Sequence, residues 1–316
     1  MIGATLSRIA GAIPILILVS LITFGLIHMI PGDPAAVIAG LSATPDQIAH
    51  IRHDLGLDEP LLSQMYHWYD NLFHGNLGTS LLLGDPVLQV VGVRLPVTIG
   101  LSAYALVITL VLGLASGVLA ALRQNTWVDQ AAMVFAMFGI SVPNFYLGLL
   151  MILLFAVELG WLPTGGYVAF TDDPVGWLTT MTLPAISLAL LLTGLLARIT
   201  RSTMLEVLRQ DYIRTARAKG LPRHKVVVKH ALANALIPIV TVIGIIVSLL
   251  MSGAVVTETL FSLPGIGQLL TQAVLNRDYP MVQGAMLIVT ALMVGVNIAV
   301  DILYAFLDPR VRYDAA

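Results

Sequence analysis

The chain has no cysteine, which excludes a disulfide framework and any thiolate chemistry. It is poor in charge as well: 11% of residues are charged, against about 25% in a soluble globular protein. With 58% hydrophobic residues, that deficit indicates a chain lying mostly in lipid. Several chemistries lack their residues. No GxxxxGK[ST] loop occurs, so the chain should not hydrolyse ATP and is not an enzyme by itself. No GxSxG, HExxH or dinucleotide fingerprint stands in a suitable context. No long acidic or basic tail is present, and nothing reads as a nucleic-acid-binding domain. Acids are almost missing from the apolar runs. Glu158 and Glu258 fall at helix ends and none falls mid-span. That argues against a proton-coupled carrier, whose relay needs a titratable group in the membrane, and against a strongly charge-selective pore.

What is there is apolar sequence in span-sized pieces. A hydrocarbon core needs roughly 20 apolar residues per helix, and six stretches qualify: 9–30, 96–122, 130–158, 184–198, 236–258 and 284–306. The first follows Arg8 and resembles a signal peptide, but its length and the lack of a convincing cleavage site favour an uncleaved span. His28 near its outer end reads as interfacial rather than as a proton relay, and Pro31-Gly32-Asp33-Pro34 stops the helix. Gly139, Ser141 and Pro143 predict a kink in the third stretch. The fourth is short, so part of the thickness falls to 179–183. Asp301 lies in the last turns of the sixth, near Arg310 and Arg312, where an interfacial place costs less than a midplane one. Gly113, Gly117, Gly139, Gly148, Gly194, Gly244, Gly253 and Gly295 permit close helix packing.

One polar island interrupts this pattern, at 198–234. It holds nine of the sixteen Lys and Arg: Arg198, Arg201, Arg209, Arg214, Arg217, Lys219, Arg223, Lys225 and Lys229, opposed only by Glu206 and Asp211. Its spacing predicts two short helices. The first covers about 204–219, with Leu205, Leu208, Tyr212, Thr215 or Ala216, and Lys219 on one face. Gly220 can take the left-handed conformation that ends it, and Pro222 can start the second. The second leads toward Leu236 and Pro238, with Val226, Val227, His230 and Ala231 along its buried side. Two readings fit: a solvated basic loop, or a docking surface for a cytoplasmic partner.

Charge also sets the expected orientation. With the N terminus inside, thirteen cations are cytoplasmic (Arg8, Arg123, the nine of the island, Arg310 and Arg312) and three are outside (Arg52, Arg94 and Arg277). The positive-inside rule therefore favours six spans with both ends cytoplasmic. Residues 35–95, with the preceding Asp33, carry seven acids against Arg52 and Arg94 and read as a small extracytoplasmic elaboration. Thr44, Pro45 and Gln47 form a helix start with a capping box, for a short helix to about Asp54. Pro60 starts another, whose Trp68 and Tyr69 suit the headgroup level. His50, His53, His67 and His74 do not have zinc-ligand spacing. The outer loop 159–180 has Asp172 and Asp173 and no Lys or Arg, with Trp161, Tyr167 and Trp177 as interfacial anchors. A gated pathway without its own energy source needs a partner to drive it, and the island is the place for that partner.

The island resembles the EAA loop of the membrane-spanning permease subunits of bacterial ATP-binding-cassette importers. It reads Asp211-Tyr212-Ile213-Arg214-Thr215-Ala216-Arg217-Ala218-Lys219-Gly220-Leu221, followed by Asn234-Ala235-Leu236-Ile237-Pro238. Ala216, Gly220 and Pro238 fall on the pattern, while Arg214 stands at the family's Glu position and Thr215 at its first Ala. That departure is usual in the dipeptide, oligopeptide and nickel branch. Three further stretches resemble the same branch: Pro31-Gly32-Asp33-Pro34; Leu55-Gly56-Leu57-Asp58 with Gly75-Asn76-Leu77-Gly78-Thr79-Ser80; and Glu258-Thr259-Leu260-Phe261-Ser262-Leu263-Pro264-Gly265-Ile266-Gly267.

The resemblance covers essentially the whole chain. It implies an all-α integral membrane protein of the type I importer permease fold. Residues 1–30 would be the first span, 31–95 the extracytoplasmic segment, 96–306 a five-helix core containing the coupling loop 198–235, and 307–316 a cytoplasmic tail. It further implies a heterodimeric pore in the bacterial inner membrane with a second permease subunit, two cytoplasmic ATPase subunits and an extracytoplasmic solute-binding protein. ATP and Mg would be bound by the ATPase partners, with no cofactor in this chain. The residues implied to couple to the ATPase are Asp211, Tyr212, Arg214, Thr215, Ala216, Arg217, Lys219, Gly220, Leu221 and Pro222. The implied cargo is a short peptide, with nickel chelates or glutathione as alternatives within the family.

Overall fold

A computed structural model describes residues 2–29, 34–39, 43–54 and 56–307. The stop at Pro31-Gly32-Asp33, Leu55, and Arg310 and Arg312 lie outside the described residues, as do the side chains of Arg8, His28 and Asp301. Among the described residues the regular structure is all helical, with one isolated bridge between Thr79 and Pro86. In chain order the helices are α1 (Ile2–Met29), α2 (Pro34–Ala39), α3 (Pro45–Asp54), α4 (Leu61–Phe73), α5 (Val87–Leu122), α6 (Trp127–Ser141), α7 (Asn144–Met151), α8 (Pro174–Leu208), α9 (Asp211–Ala218), α10 (Arg223–Lys225), α11 (Ala233–Leu260), α12 (Ile266–Leu275) and α13 (Tyr279–Leu307). Wide π-turns follow α7 (Ile152–Glu158) and join α10 to α11 (Val226–Leu232).

Four helical stretches are long and apolar enough to cross a membrane: Val87–Leu122, Pro174–Leu208, Arg223–Leu260 and Tyr279–Val300. The first three exceed what a hydrocarbon layer of ~30 Å requires, since 35 residues already reach about 52 Å at 1.5 Å per residue. The bent pair Trp127–Ser141 and Asn144–Glu158 makes a fifth if it counts as one span. Within α1, the apolar stretch with described side chains is the shorter Ala10–Gly25.

Two helices begin about ten residues earlier than the sequence suggests, for a common reason. Pro96 and Pro184 look like helix starts, but each lies inside a longer helix. At the true start of α8, Asp173 caps the helix by accepting from the Val175 N–H at 3.0 Å, with Pro174 in the first turn. Beyond it the hydroxyls of Thr179, Thr180 and Thr182 each bond to a carbonyl one turn back, which carries the polar 179–182 stretch into the helix.

The third apolar stretch is more than kinked. α6 and α7 meet at 103°. Pro143 has no N–H to continue α6 and forces the preceding residue out of helical conformation, so Val142 sits at φ −96°, ψ 125°. The connection after α11 holds a further helix, α12, which the sequence reading missed. Gly265 stands just before it and Gly267 lies within its first turn.

The chain divides into two compact units. The first comprises residues 1–5, 97–264 and 296–316. Its core surrounds α8, whose Leu188, Leu192 and Leu196 repeat every four residues and are all buried. Here the small residues act as expected, by letting backbones touch. A Cβ on Gly194 would lie 2.2 Å from the Ala136 carbonyl oxygen, and one on Gly139 would lie 2.5 Å from that of Leu190. Gly113, Gly117, Gly148, Gly244 and Gly253 are similarly enclosed, whereas Gly295 faces open space.

The second unit comprises 6–96 and 265–295. The capping box forms: the Gln47 side chain accepts from the Thr44 N–H, and the Thr44 hydroxyl accepts from the Gln47 N–H. α4 meets α1 through aromatics, with the rings of Trp68 and Phe24 centred 5.8 Å apart and the hydroxyls of Tyr69 and Ser20 2.7 Å apart. Asp278 is buried and organises a corner. Its carboxylate accepts from the Ser80 hydroxyl and from the N–H groups of Leu81, Leu82 and Met281.

Candidate functional site

The charged island begins as a helix rather than a loop. α8 continues through Arg198 and Arg201 to Leu208, so the helix expected over 204–219 is the end of α8 followed by a separate α9. The break falls at Arg209 and Gln210, where Gln210 is extended. This restart resets the helical phase. The inner face extrapolated from Leu205 and Leu208 is therefore one residue out of register: Tyr212 is 44% exposed, whereas Ile213 is fully buried. Ile213 and Ala216 enter a core shared with Ala121 of α5, Met204 of α8, and Val226 and Val227 of the π-turn. The predicted burial of Val226, Val227 and Ala231 holds, whereas His230 is only half-buried.

α9 ends as its sequence suggests. The Leu221 N–H bonds to the Ala216 carbonyl and the Gly220 N–H to the Arg217 carbonyl, with Gly220 at φ +77°. This is the Schellman arrangement, which needs the left-handed residue that glycine supplies. Pro222 then precedes α10 rather than occupying its first turn, and its carbonyl accepts from the N–H groups of Lys225 and Val226. No second start occurs near Leu236. α10, the π-turn and α11 form one helical stretch, Arg223–Leu260, with Pro238 inside it.

The ten residues implied to couple to an ATPase therefore occupy one short bend, 211–222, between two long helices. Asp211, Tyr212, Arg214, Thr215, Arg217, Lys219, Gly220, Leu221 and Pro222 are exposed, and Ala216 is in the core. Eight of the nine island cations are exposed. The Arg214–Asp211 pair, at 3.5 Å and almost fully solvated, contributes little rigidity. The fixed shape of the bend comes from its apolar underside rather than from its charges.

The ninth cation is different, and sequence reasoning missed it. Arg201 forms a two-pronged ion pair with Asp129 in the first turn of α6: Nε donates to Oδ1 and Nη2 to Oδ2, the latter at 2.7 Å. Asp129 is buried and also accepts from the Asn125 N–H, where Asn125 turns the chain at φ +62°. Arg223 donates to the Leu122 carbonyl in the same turn. The available signal was an acid placed one turn into an apolar helix, opposite a helix that carries cations at its end.

A second omission is Glu258. It lies near the end of α11 as expected, but it is fully buried and accepts from the Thr98 hydroxyl of α5 at 2.6 Å.

Comparison with known proteins places this arrangement in a family. Residues 110–313 match the binding-protein-dependent transport system inner membrane component, and residues 1–102 match the N-terminal region of the membrane component of such systems. The chain is 51% identical over 314 residues, covering 99% of it and all of the relative, to a protein of Brucella abortus (strain 2308) named as a peptide transport system permease. It is 40% identical to the dipeptide transport system permease protein DppB of Alkalihalophilus pseudofirmus, over 99% of this chain and 100% of that one. It is likewise 40% identical to the glutathione transport system permease protein GsiC of Escherichia coli O6:H1, with the same two coverages. Among solved structures, a chain of the inward-facing MetNI methionine ABC transporter shares the fold with a TM-score of 0.59, at 18% identity, over 70% of this chain and 97% of that one. By these matches the chain belongs to the inner-membrane components of binding-protein-dependent transport systems, as a multi-pass permease of the bacterial inner membrane.

Proposed function

We propose that the chain is one of two related pore-forming permease subunits in an ATP-driven importer of short peptides. It crosses the membrane six times with both ends in the cytoplasm. Two ATPase subunits bind below it, and a solute-binding protein delivers cargo from outside. The chain itself carries out no hydrolysis; ATP and Mg belong to the ATPases. The peptide assignment is supported by the relatives named for peptide and dipeptide transport. Glutathione, named for another relative and itself a small peptide, and nickel chelates are the alternatives within the same architecture.

The observation that carries this reading is the construction of 209–222. Its inner side is sealed into the core by Ile213 and Ala216, its outer side carries exposed cations, and both ends continue directly into α8 and the Arg223–Leu260 helix. A partner seated on that bend pushes on two through-going helices at once. Arg214, Arg217, Lys219 and the flanking Tyr212 and Leu221 form the contact surface, and Gly220 sets its shape. ATPase closure then turns the pathway outward and hydrolysis resets it, because a ligand can drive a conformational change only to the extent that it binds the two states differently.

Replacing Gly220 by Pro, or deleting 214–222, is expected to abolish co-purification of the ATPase subunits while leaving membrane insertion intact. Unchanged complex yield and transport would sink the reading. A self-contained carrier or channel is the competing class, and the buried Glu258 is the acid through which a proton-coupled carrier would work. That class predicts transport by this chain alone in proteoliposomes.

A further inference from the structure

The broken helix pair and the Asp129–Arg201 ion pair belong together. α6 and α8 run antiparallel in a fixed register, touching at three levels. At one end Arg201 grips Asp129 with two hydrogen bonds. Seven residues further along each helix, the Gly194 Cα side faces the Ala136 carbonyl so closely that a Cβ would come within 2.2 Å of it. A turn beyond, Gly139 stands in the same relation to the Leu190 carbonyl. The spacing 129–136 on α6 equals the spacing 194–201 on α8, so the two contacts lie about 10.5 Å apart along both axes at 1.5 Å per residue. Side-chain packing alone lets helices slip past one another, and an interface of this kind has discrete alternative registers. A charged fork with fixed geometry does not slip, because each arm has one partner.

α6 ends two residues after Gly139, at Ser141, and the chain turns through 103°. The next helix, α7, also packs on α8, and it has a second support on α11. Gly148 of α7 lies against Leu260 and Phe261 at the far end of α11, and Asn144 approaches Gly253. The break at Val142 and Pro143 thus separates a half-span held to α8 by the Asp129–Arg201 pair and the glycine contacts from a half-span that packs on both α8 and α11 without an ion pair.

We propose that Asp129 and Arg201 are positioning residues for transport: they make α6 and the C-terminal half of α8 one lever, driven from the 209–222 bend, so that the change of access is taken up by rotation at Val142–Pro143. This rests on the reading that force enters at that bend. Arg201 stands two turns before the end of α8, nearer the bend than any other point of α6–α8 contact named above. Asp129 also fixes the 123–126 turn through Asn125, and Arg223, just after the bend, holds the same turn at Leu122. Displacement of the bend therefore reaches α6 by two polar routes, one on each side.

The test uses the full complex with its ATPase subunits and binding protein. Asp129→Asn, Arg201→Gln and the exchange Asp129→Arg/Arg201→Asp are compared with the parent for assembly, ATP hydrolysis and peptide uptake per ATP. The expectation is near-normal assembly and hydrolysis in the single variants, with uptake per ATP reduced at least tenfold and at least partly restored by the exchange. A purely structural pair would instead lower assembly, hydrolysis and uptake in proportion, and that result overturns the proposal, as does unchanged uptake per ATP.

A second measurement stands independently of folding yield. The chain has no cysteine, so spin labels can be placed cleanly at exposed positions. The pair Val134→Cys/Ser202→Cys reports the α6–α8 distance, and Val134→Cys/Val157→Cys reports across the break. The first distance is expected to stay constant between nucleotide-free and ATP-bound states while the second shifts. A change in the first with a constant second refutes the lever. Failure of the parent complex to assemble or to hydrolyse ATP would count against the functional reading itself, before the lever is tested.

Discussion

Replacing Gly194 by Ala tests how closely α6 and α8 are built together. The added Cβ would sit 2.2 Å from the Ala136 carbonyl oxygen, with Ile140 Cγ1 at 3.1 Å. An ordinary carbon–oxygen contact needs about 3.3 Å, so roughly 1 Å of separation must be found, and a backbone carbonyl cannot swing aside like a side-chain tip. Either the helices part or the Ala136 peptide tilts out of its helical hydrogen bond. Overpacking of this kind costs about 1–3 kcal/mol. The same substitution at Gly295 is its control, because nothing lies within 4 Å of that position; there the gain in helix propensity, up to about 1 kcal/mol, is expressed. The two variants should therefore move in opposite directions, differing by about 2–4 kcal/mol. Thermal unfolding of the detergent-solubilised protein, followed by fluorescence-detected size exclusion, reads the difference. Equal midpoints, or a Gly194 variant more stable than the Gly295 one, would show that the crossing is looser than described and remove the basis for a rigid α6–α8 pair.

Other perturbations separate the parts of the molecule. Ile213→Asp buries a charge in the socket of α9, and is expected to abolish ATPase co-purification while the protein still inserts in the membrane; normal complex yield would mean that the bend does not need its apolar underside. Asp278→Ala removes the acceptor of four hydrogen bonds, and at about 1 kcal/mol or more for each it should release the 80–83 segment, seen as new proteolytic cleavage there; an unchanged cleavage pattern would contradict the corner described. Thr98→Val deletes a donor to the buried Glu258 carboxylate and should cost about 1–3 kcal/mol in the same unfolding assay, with Thr98→Ser close to the parent. No loss in the valine variant would mean that the Thr98 hydroxyl does not hold Glu258.

The sequence announced the apolar spans and the bend because both depend on local signals. Hydrocarbon-length runs, a Gly in left-handed conformation and a capping box are read over a few residues, and Gly220, Thr44 and Gln47 behave as their chemistry requires. What depends on distant partners was not readable. Asp129 and Arg201 are 72 residues apart, and Ser80 and Asp278 are 198 apart. Prolines misled in a consistent way: Pro96, Pro184 and Pro238 lie inside long helices, as membrane helices tolerate. Of these three and Pro143, Pro143 alone breaks its helix, and the sequence reading predicted a kink there without its size. The phase of α9 was lost because the helix restarts at Gln210, which no periodicity count across the break could detect.

The central claim is that energy reaches this chain from ATPase partners through the bend at 209–222. The most direct measurement is uptake of labelled di- and oligopeptides into proteoliposomes holding this chain, its permease partner and both ATPases, with the binding protein supplied on the side where it delivers cargo. The account predicts accumulation that requires ATP, the ATPases and the binding protein, and that disappears when 214–222 is deleted. Peptide accumulation by the permease chain alone, or undiminished uptake after that deletion, would contradict it.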